Sequence, residues 1–583
     1  MRARLNGAIA AALFALNIWI CWRWFRVEYA AHFNSVEGFF IAMARYISTH
    51  WSGFSWWPMW HCGMPYQDTY VPLLHLVVAA VATVAKVSAA QAYHDVTGVS
   101  YSLGAVTVFL MAQRLGASRG AAFLAALAYS IVSPSVLLMP DVARDVGWFH
   151  GRRLQVLTVY GEGPHITSLA ILPLDVLALQ SALEKRTARS LVLAGLAIAA
   201  MFLTNVPGTM ALGLAVFCWI VVQPAESWWR AVLIAVGASA LAYAIACYGV
   251  PPSSLRTVLS NVGAMHIGFR SALDAAPFLL ALVLMAAAIF GFLLRYSQLP
   301  LFARFGLLYF GVLAGMVLTA QPRKFELLPQ ASRLHVEMEI AACLLLGGLA
   351  WRLYKRSPRW AKPVLALLLL AAVIVQVRNY HAKVRADVQP VDLSARSEYT
   401  TARWLEANMS GRRVYAAGSD AFWLNAFTDT PQVLGCCEQG MSMPIQRIVP
   451  YMVSPNVNDE FTRLGVAYLE AMGAQALVTS GETSTDEYKD IKAPERYAAI
   501  LPVLHQDRGD VIYGVPQRSA SLAHLLLPGE EAPVRSSREV TPAEIQRYAN
   551  AIEESRPPAD FQWTGPGAAR IRAVLRPGEM LSV

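Results

Sequence analysis

Apolar residues run along the first two thirds of the chain in blocks near twenty residues long, broken by short basic or Gly/Pro turns. A helix of about 20 apolar residues crosses a bilayer, so the blocks predict eleven spans: 6–25, 97–113, 119–138, 165–182, 190–204, 207–222, 229–249, 273–294, 301–319, 336–353 and 361–377. The stretch 72–90 is apolar too, but Pro72, His75 and Lys86 suit a partly buried element. Beyond residue 377 the blocks shorten. RRVYAAG, AQALVTSG and VIYGVP read as strands, and EYTTARWLEANMSG reads as a helix closed by Gly. The tail FQWTGPGAARIRAVLRPGEMLSV reads as two strands with a Pro-Gly turn, either completing a sheet or leading into a longer chain. The expected fold is therefore a polytopic α-helical membrane domain over 1–377, followed by a water-exposed α/β domain with a β-rich tail over 378–583.

The side of each loop follows from basic residues, which collect on the cytoplasmic face. With the N-terminus inside and 72–90 left out of the count, the inside loops hold Arg114 and Arg119; Lys185, Arg186 and Arg189; Arg230; Arg295 and Arg304; and the group Arg352, Lys355, Arg356, Arg359 and Lys362. Counting 72–90 as a span would turn that last group outward, so it is read as an outer-face helix. The segments 26–96, 139–164, 250–272 and 320–335 then lie outside, with 378–583 periplasmic or extracellular.

Composition agrees. Of 583 residues 56% are hydrophobic and only 15% charged, against about 25% charged in soluble proteins. The net charge of +9 belongs to the basic loops. No basic stripe with interleaved aromatics points to nucleic acid. Seven cysteines show no zinc spacing; Cys436 and Cys437 are adjacent, and Cys21, Cys218, Cys247 and Cys343 lie in or beside apolar runs. The start, MRARLNGAIAAALFALNIWICWRWF, lacks a small-residue cleavage site and reads as a retained signal anchor.

Ionisable groups at the bilayer face are costly unless they line a cavity, which makes them functional candidates. Three clusters qualify. The first is Glu37 with Arg45, in a loop rich in tryptophan (Trp51, Trp56, Trp57, Trp60); these rings suit an interfacial belt or a sugar face. The second, MPDVARDVGWFHGRRLQVLTVYGEGPH, carries Asp141, Asp145, His150, Arg152, Arg153, Glu162 and His165. Arg152 and Arg153 suit a phosphate or lipid headgroups, while Glu162 also suits the N-terminal dipole of the next helix. Asp175 lies deeper and suits helix packing. The third, AQPRKFELLPQASRLHVEMEI, places Arg323, Lys324, Arg333 and His335 outside, against the charge rule; a lipid phosphate or headgroup snorkelling accounts for them. No Walker loop, GxGxxG or HExxH occurs.

One span, a long outer loop with an early acid, an aromatic outer-face segment (PMWHCGMPYQDTYVPLLH), a span ending in RLGASRGAAFLAAL and a second acid beside the fourth membrane helix together resemble the GT-C superfamily of polyprenyl-phosphate-sugar-dependent glycosyltransferases. The chain looks most like the bacterial YfhO-like membrane proteins, also labelled 6-pyruvoyl-tetrahydropterin synthase-related, a label that implies no pterin chemistry. The resemblance implies a bacterial inner-membrane enzyme that transfers a sugar from a polyprenyl-phosphate donor to a glycan, lipid or protein acceptor, with inversion. It implies Glu37 as base, where the family carries Asp, often paired, and Glu162 as second acid. Arg333, with Arg152 and Arg153, would meet the phosphate; His165, Trp57, Trp60 and Lys324 would complete the substrate site. A divalent cation (Mg2+ or Mn2+) held by Glu37 and Glu162 is a further expectation. A non-catalytic GT-C-like scaffold in envelope polysaccharide assembly and a lipid or glycan transporter are the alternatives. The lone glutamate favours the scaffold, and the lack of repeated Gly/Pro-broken spans disfavours the transporter.

Overall fold

The computed structural model describes residues 2–265, 270–323, 327–436, 438–441, 444–455, 458–519, 521–531, 541–553, 559–565 and 568–583. The chain forms two compact units. One comprises residues 1–31, 71–251 and 264–390; the other comprises 32–70, 252–263 and 391–583.

The first unit is helical. Six helices are long and apolar enough to cross a membrane: Ala89–Arg114, Gly163–Lys185, Trp228–Ala246, Leu301–Ala320, Ala331–Arg356 and Ala361–Asp387. Shorter apolar helices cover Arg4–Ile20, Arg119–Ile131, Ala188–Phe202, Val206–Val221 and Leu279–Arg295. Each of the eleven expected spans thus falls on an apolar helix, and the protein is a multi-pass membrane protein. The doubtful stretch forms Leu73–Ala85, which closes at Lys86 in a left-handed conformation (φ 55°). Its 13 residues rise about 20 Å, the same as the 13 of Arg119–Ile131.

Helix starts are written locally. Ser88, Ser118 and Asn205 each accept a backbone N–H of the first turn, and Thr187 and Ser190 cap each other reciprocally. Close packing relies on small residues. A Cβ on Gly347 would lie 2.2 Å from the Ala125 nitrogen, so the helices Arg119–Ile131 and His335–Arg356 touch backbone to backbone. By contrast, only 6% of the apolar window of Ala361–Asp387 is covered by protein. Its exposed Leu367, Leu368, Leu370 and Ile374 are left to lipid hydrocarbon.

The second unit is α/β. Four strands run in the order Val414–Tyr415, Ala476–Ser480, Asp510–Gly514, Val503–Asp507. The first pair is parallel and the others are antiparallel. Ala476–Ser480 is buried along its whole length, as the run ALVTS requires of a central strand. The helix read from EYTTARWLEAN is Ser397–Asn408. The tail forms the hairpin Asp560–Gly565 with Ala568–Arg572, and Met580–Ser582 pairs antiparallel with His524–Leu526. Helix Glu37–Thr49 belongs to this unit. A Cβ on Gly38 would meet the Phe422 carbonyl at 2.5 Å, so only glycine lets it rest on helix Gly418–Phe427.

Candidate functional site

In the first unit the polar groups gather where two membrane helices begin. Tyr93 fixes the start of Gly163–Lys185: its hydroxyl donates to the Gly161 carbonyl (2.6 Å) and accepts from the Gly163 N–H (2.9 Å). Glu162 sits at the N-cap, and Pro164 occupies the first turn, where its missing N–H costs nothing. Opposite lies a 3-10 turn, Ala331–Leu334, leading into His335–Arg356.

Residues 333, 335, 337 and 339 each meet a charged or titratable partner from 152–165. Arg333 Nη1 lies 2.9 Å from Glu162 Oε1, with side-chain exposures of 48% and 16%. His335 Nε2 accepts from Arg152 Nε at 3.0 Å, while Nδ1 faces the Ser332 carbonyl at 2.8 Å; together these fix the Nδ1–H tautomer. His165 Nε2 and Glu337 Oε1 are 2.8 Å apart, both buried, and Glu337 Oε2 has no hydrogen-bond partner. Arg153 Nε lies 3.7 Å from Glu339 Oε2.

The three arginines differ in what they can offer a ligand. The Arg153 guanidinium lies 3.4 Å over the Tyr129 ring and 5.1 Å from the Tyr101 ring, and also donates to the Tyr129 carbonyl. Ser133 and Ser135 both donate to its counter-ion, Glu339. This closed cage holds the fold; a phosphate would have to displace most of it. Arg152 is half committed. It pairs with Asp145 at 2.6 Å, bonds Gln155, and lies 5.1 Å from the Tyr160 ring. Burial works to raise the Asp145 carboxyl, but hydrogen bonds from Tyr160 and Arg152 outweigh it and hold the group below the ordinary carboxylate range. Arg333 is the most open of the three.

Among the expected site residues, Glu162, His165, Arg152, Arg153 and Arg333 are therefore brought together in this unit. Lys324 lies outside the described residues. Glu37, Trp57 and Trp60 fall in the second unit. Glu37 opens its helix and is 2% exposed. Trp57 and Trp60 are fully buried, which removes them from a bilayer belt and from an open sugar face. Trp57 packs edge-on against Tyr46 and Trp60, and Trp60 donates from Nε1 to Asn425 Oδ1 at 3.0 Å. Arg45 caps helix Gly418–Phe427, donating to the carbonyls of Asn425 (3.2 Å) and Thr428 (2.8 Å) and pairing with Asp429.

Sequence reasoning missed Glu337 and Glu339. Two acids spaced by one residue at the head of an apolar helix were the available signal, because an intramembrane carboxylate needs a partner. The expected divalent cation finds no fit. Among the described residues no group of three or more His, Cys, Asp or Glu side chains is placed to hold a metal, and Glu162 is taken up by Arg333.

No family model and no curated protein sequence matches the chain. Solved structures do. Arabinofuranosyltransferase AftD from Mycobacteria superposes with TM-score 0.51 at 17% identity, over 96% of this chain and 43% of that one. The chain thus spans less than half of AftD's length. An Archaeoglobus fulgidus oligosaccharyltransferase, crystallised with Zn and sulfate, gives TM-score 0.46 at 11% identity over 83% of this chain and 74% of that one. ArnT from Cupriavidus metallidurans, bound to undecaprenyl phosphate, gives 0.41 at 13% identity over 88% and 98%. At these identities it is the fold that is shared: a GT-C-like polytopic helical membrane fold with a C-terminal α/β portion.

Proposed function

We propose that the protein is a membrane glycosyltransferase that takes a sugar from a polyprenyl-phosphate donor and passes it to a hydroxyl of a glycan, lipid or protein on the non-cytosolic face. The observation that carries this reading is the Glu162–Arg333 pair, a half-exposed guanidinium beside a carboxylate at the heads of two membrane helices. A guanidinium there suits the phosphate of a lipid-borne donor through two parallel N–H···O bonds. The order of acids, Glu37 after the first span and Glu162 at the fourth, supports the YfhO-like subgroup.

In the proposed reaction Arg333 exchanges Glu162 for the donor phosphate. The acceptor oxygen attacks the anomeric carbon from the face opposite the phosphate and its proton passes to a carboxylate base, the role the resemblance implies for Glu37. The anomeric C–O bond breaks, and its electron pair leaves on the phosphate, so the anomeric configuration inverts. Arg333 stabilises the charge that grows on the leaving oxygens. Glu162, released, accepts a hydrogen bond from a sugar or acceptor hydroxyl. No step is assigned to a metal.

The test is transfer from a lipid-linked sugar by purified full-length protein. Arg333→Ala should raise KM for the donor, and Glu37→Gln should lower kcat by about 10²- to 10⁴-fold, the usual worth of a general base. Undiminished transfer by both folded variants removes them from the mechanism. A second reading, a GT-C scaffold without catalysis, is favoured by the 2% exposure of Glu37. Donor binding that depends on Arg333, with no turnover by the wild type under any acceptor, would select it.

A further inference from the structure

The second unit buries four carboxyl groups together, none of them given a role above. Glu398 (1% exposed) comes from helix Ser397–Asn408 and Asp420 (3%) from helix Gly418–Phe427. Asp510 (2%) comes from the strand Asp510–Gly514, and Asp486 (5%) from the segment 481–490 that leaves the central strand. Such a group normally demands cations. The charged neighbours are few. Arg396 pairs with Glu398 at 2.7 Å and with Glu487 at 3.2 Å. Lys489 donates to the Glu482 carbonyl at 2.8 Å. Asp490 accepts from Ser454 at 3.0 Å. Tyr488 stacks on Phe422, and Glu482 is exposed. Asp420, Asp486 and Asp510 have no ion pair among the described residues, and no metal-holding group forms there.

Counting hydrogens shows how the cluster is neutralised. Ser480 Oγ lies 2.8 Å from Asp486 Oδ2 and 3.2 Å from Asp420 Oδ2. A hydroxyl has one proton to donate. If it goes to Asp486, the nearer, the Asp420 contact is a hydrogen bond only when Asp420 itself carries the proton and donates. Asp420 Oδ1 and Asp510 Oδ1 are buried with no hydrogen-bond partner among the described residues, a poor setting for two full charges.

The same groups fasten the segment 481–490 as a strap. Asp486 Oδ1 accepts the Tyr488 N–H (2.8 Å), Ser419 Oγ accepts it too (3.1 Å), and the Tyr488 carbonyl accepts the Ser419 N–H (3.1 Å). Thr485 Oγ1 accepts the Ser397 N–H (2.9 Å) and Ser484 Oγ accepts the Asp486 N–H (3.0 Å). Gly418, at φ +64°, has no room for a side chain: a Cβ would meet the Tyr488 carbonyl at 1.8 Å. The strap is therefore seated directly on the head of a helix whose first turn carries Asp420.

We propose that Asp420, Asp486 and Asp510 form a proton-sharing latch, protonated at Asp420, that holds the strap 481–490 closed and releases it when the proton is lost. Burial raises all three carboxyls above the ordinary range, Asp510 to about 6, and neighbouring carboxylates add to it at Asp420 and Asp510. The sign follows. A raised acid binds its proton more tightly in the closed state than in the open one. The latch is at full strength below the ordinary carboxylate value of about 4 and is lost as pH rises through the closed-state values. One proton released makes opening about tenfold more favourable per pH unit between the ordinary value and the closed-state values, and no more favourable beyond them.

The test is hydrogen exchange followed by mass spectrometry on the full chain in detergent, corrected for the intrinsic pH dependence of exchange. Protection of the amides of 484–488 should fall by at least about tenfold between pH 5 and pH 8, with the sheet unchanged. Asp420→Asn, whose amide donates at every pH, should keep the strap protected at both. The infrared difference spectrum of wild type minus Asp420→Asn near pH 6 should show the carbonyl stretch of a protonated carboxyl; should Asp420→Asn fold poorly, the loss of that band in the wild type as pH rises serves instead. Protection independent of pH in the wild type, an unchanged pH response in Asp420→Asn, or protection at pH 8 restored by millimolar Ca2+ would each overturn the proposal, the last by making the cluster a cation site.

Discussion

Removing both members of the buried Arg153–Glu339 pair should unsettle the first unit far less than the two single removals add up to. The two side chains are 5% and 1% exposed and 3.7 Å apart. At that distance, with an effective dielectric near 20, attraction is about 4 kcal/mol. Deleting one partner of a buried pair typically costs about 3–5 kcal/mol, because the other charge stays buried. Glu339→Gln keeps an oxygen for Ser133 and Ser135, and Arg153→Met keeps an unbranched chain between Tyr101 and Tyr129, so each change mainly removes charge. Each single variant should lose about 3–5 kcal/mol, and the double variant should lose less than the sum by about 2–4 kcal/mol. At roughly 2–4 °C per kcal/mol for a domain of moderate size, each single variant should unfold about 6–20 °C lower. Thermal unfolding in detergent, followed by tryptophan emission at one scan rate, reads the cycle. Additivity to within about 0.5 kcal/mol would mean that the two charges do not support each other, and the account of Arg153 as a caged structural residue would fail.

Two further outcomes follow from packing and capping. Gly347→Val should displace the helices Arg119–Ile131 and His335–Arg356, since even a Cβ would sit 2.2 Å from Ala125 nitrogen; Gly311→Ala, where nothing lies within 4 Å, should be neutral or slightly stabilising. Yield of monodisperse protein in detergent separates them, and equal behaviour would remove the close helix contact. Arg45→Met should cost about 1–2 kcal/mol by uncapping helix Gly418–Phe427. Faster amide exchange near its C-terminal end is the readout; unchanged exchange would deny Arg45 that role.

The chain by itself determined its elements. Apolar runs, with Ser, Thr and Asn caps before them, fix where helices start, and the fully apolar ALVTS run fixes a central strand, because these signals act within a few residues. The clusters holding Glu162, Arg152, Arg153, His165 and Arg333 were legible as well, since ionisable groups are scarce in such sequence. Pairing was not. Glu162 meets Arg333 across 171 residues, and His165 meets Glu337 across 172. No local pattern says that Arg153 would be sealed between tyrosines while Arg333 stays half open, or that Trp57 and Trp60 would be buried in a core with Trp423. Nor does anything near Asp420, Asp486 or Asp510 announce that they share one serine hydroxyl. Periodicity sets which face of an element is buried; which partner it is buried against depends on how helices and strands far apart in the chain stack, and that alone decides whether a given charge becomes a ligand site, a structural pair or a carrier of a proton.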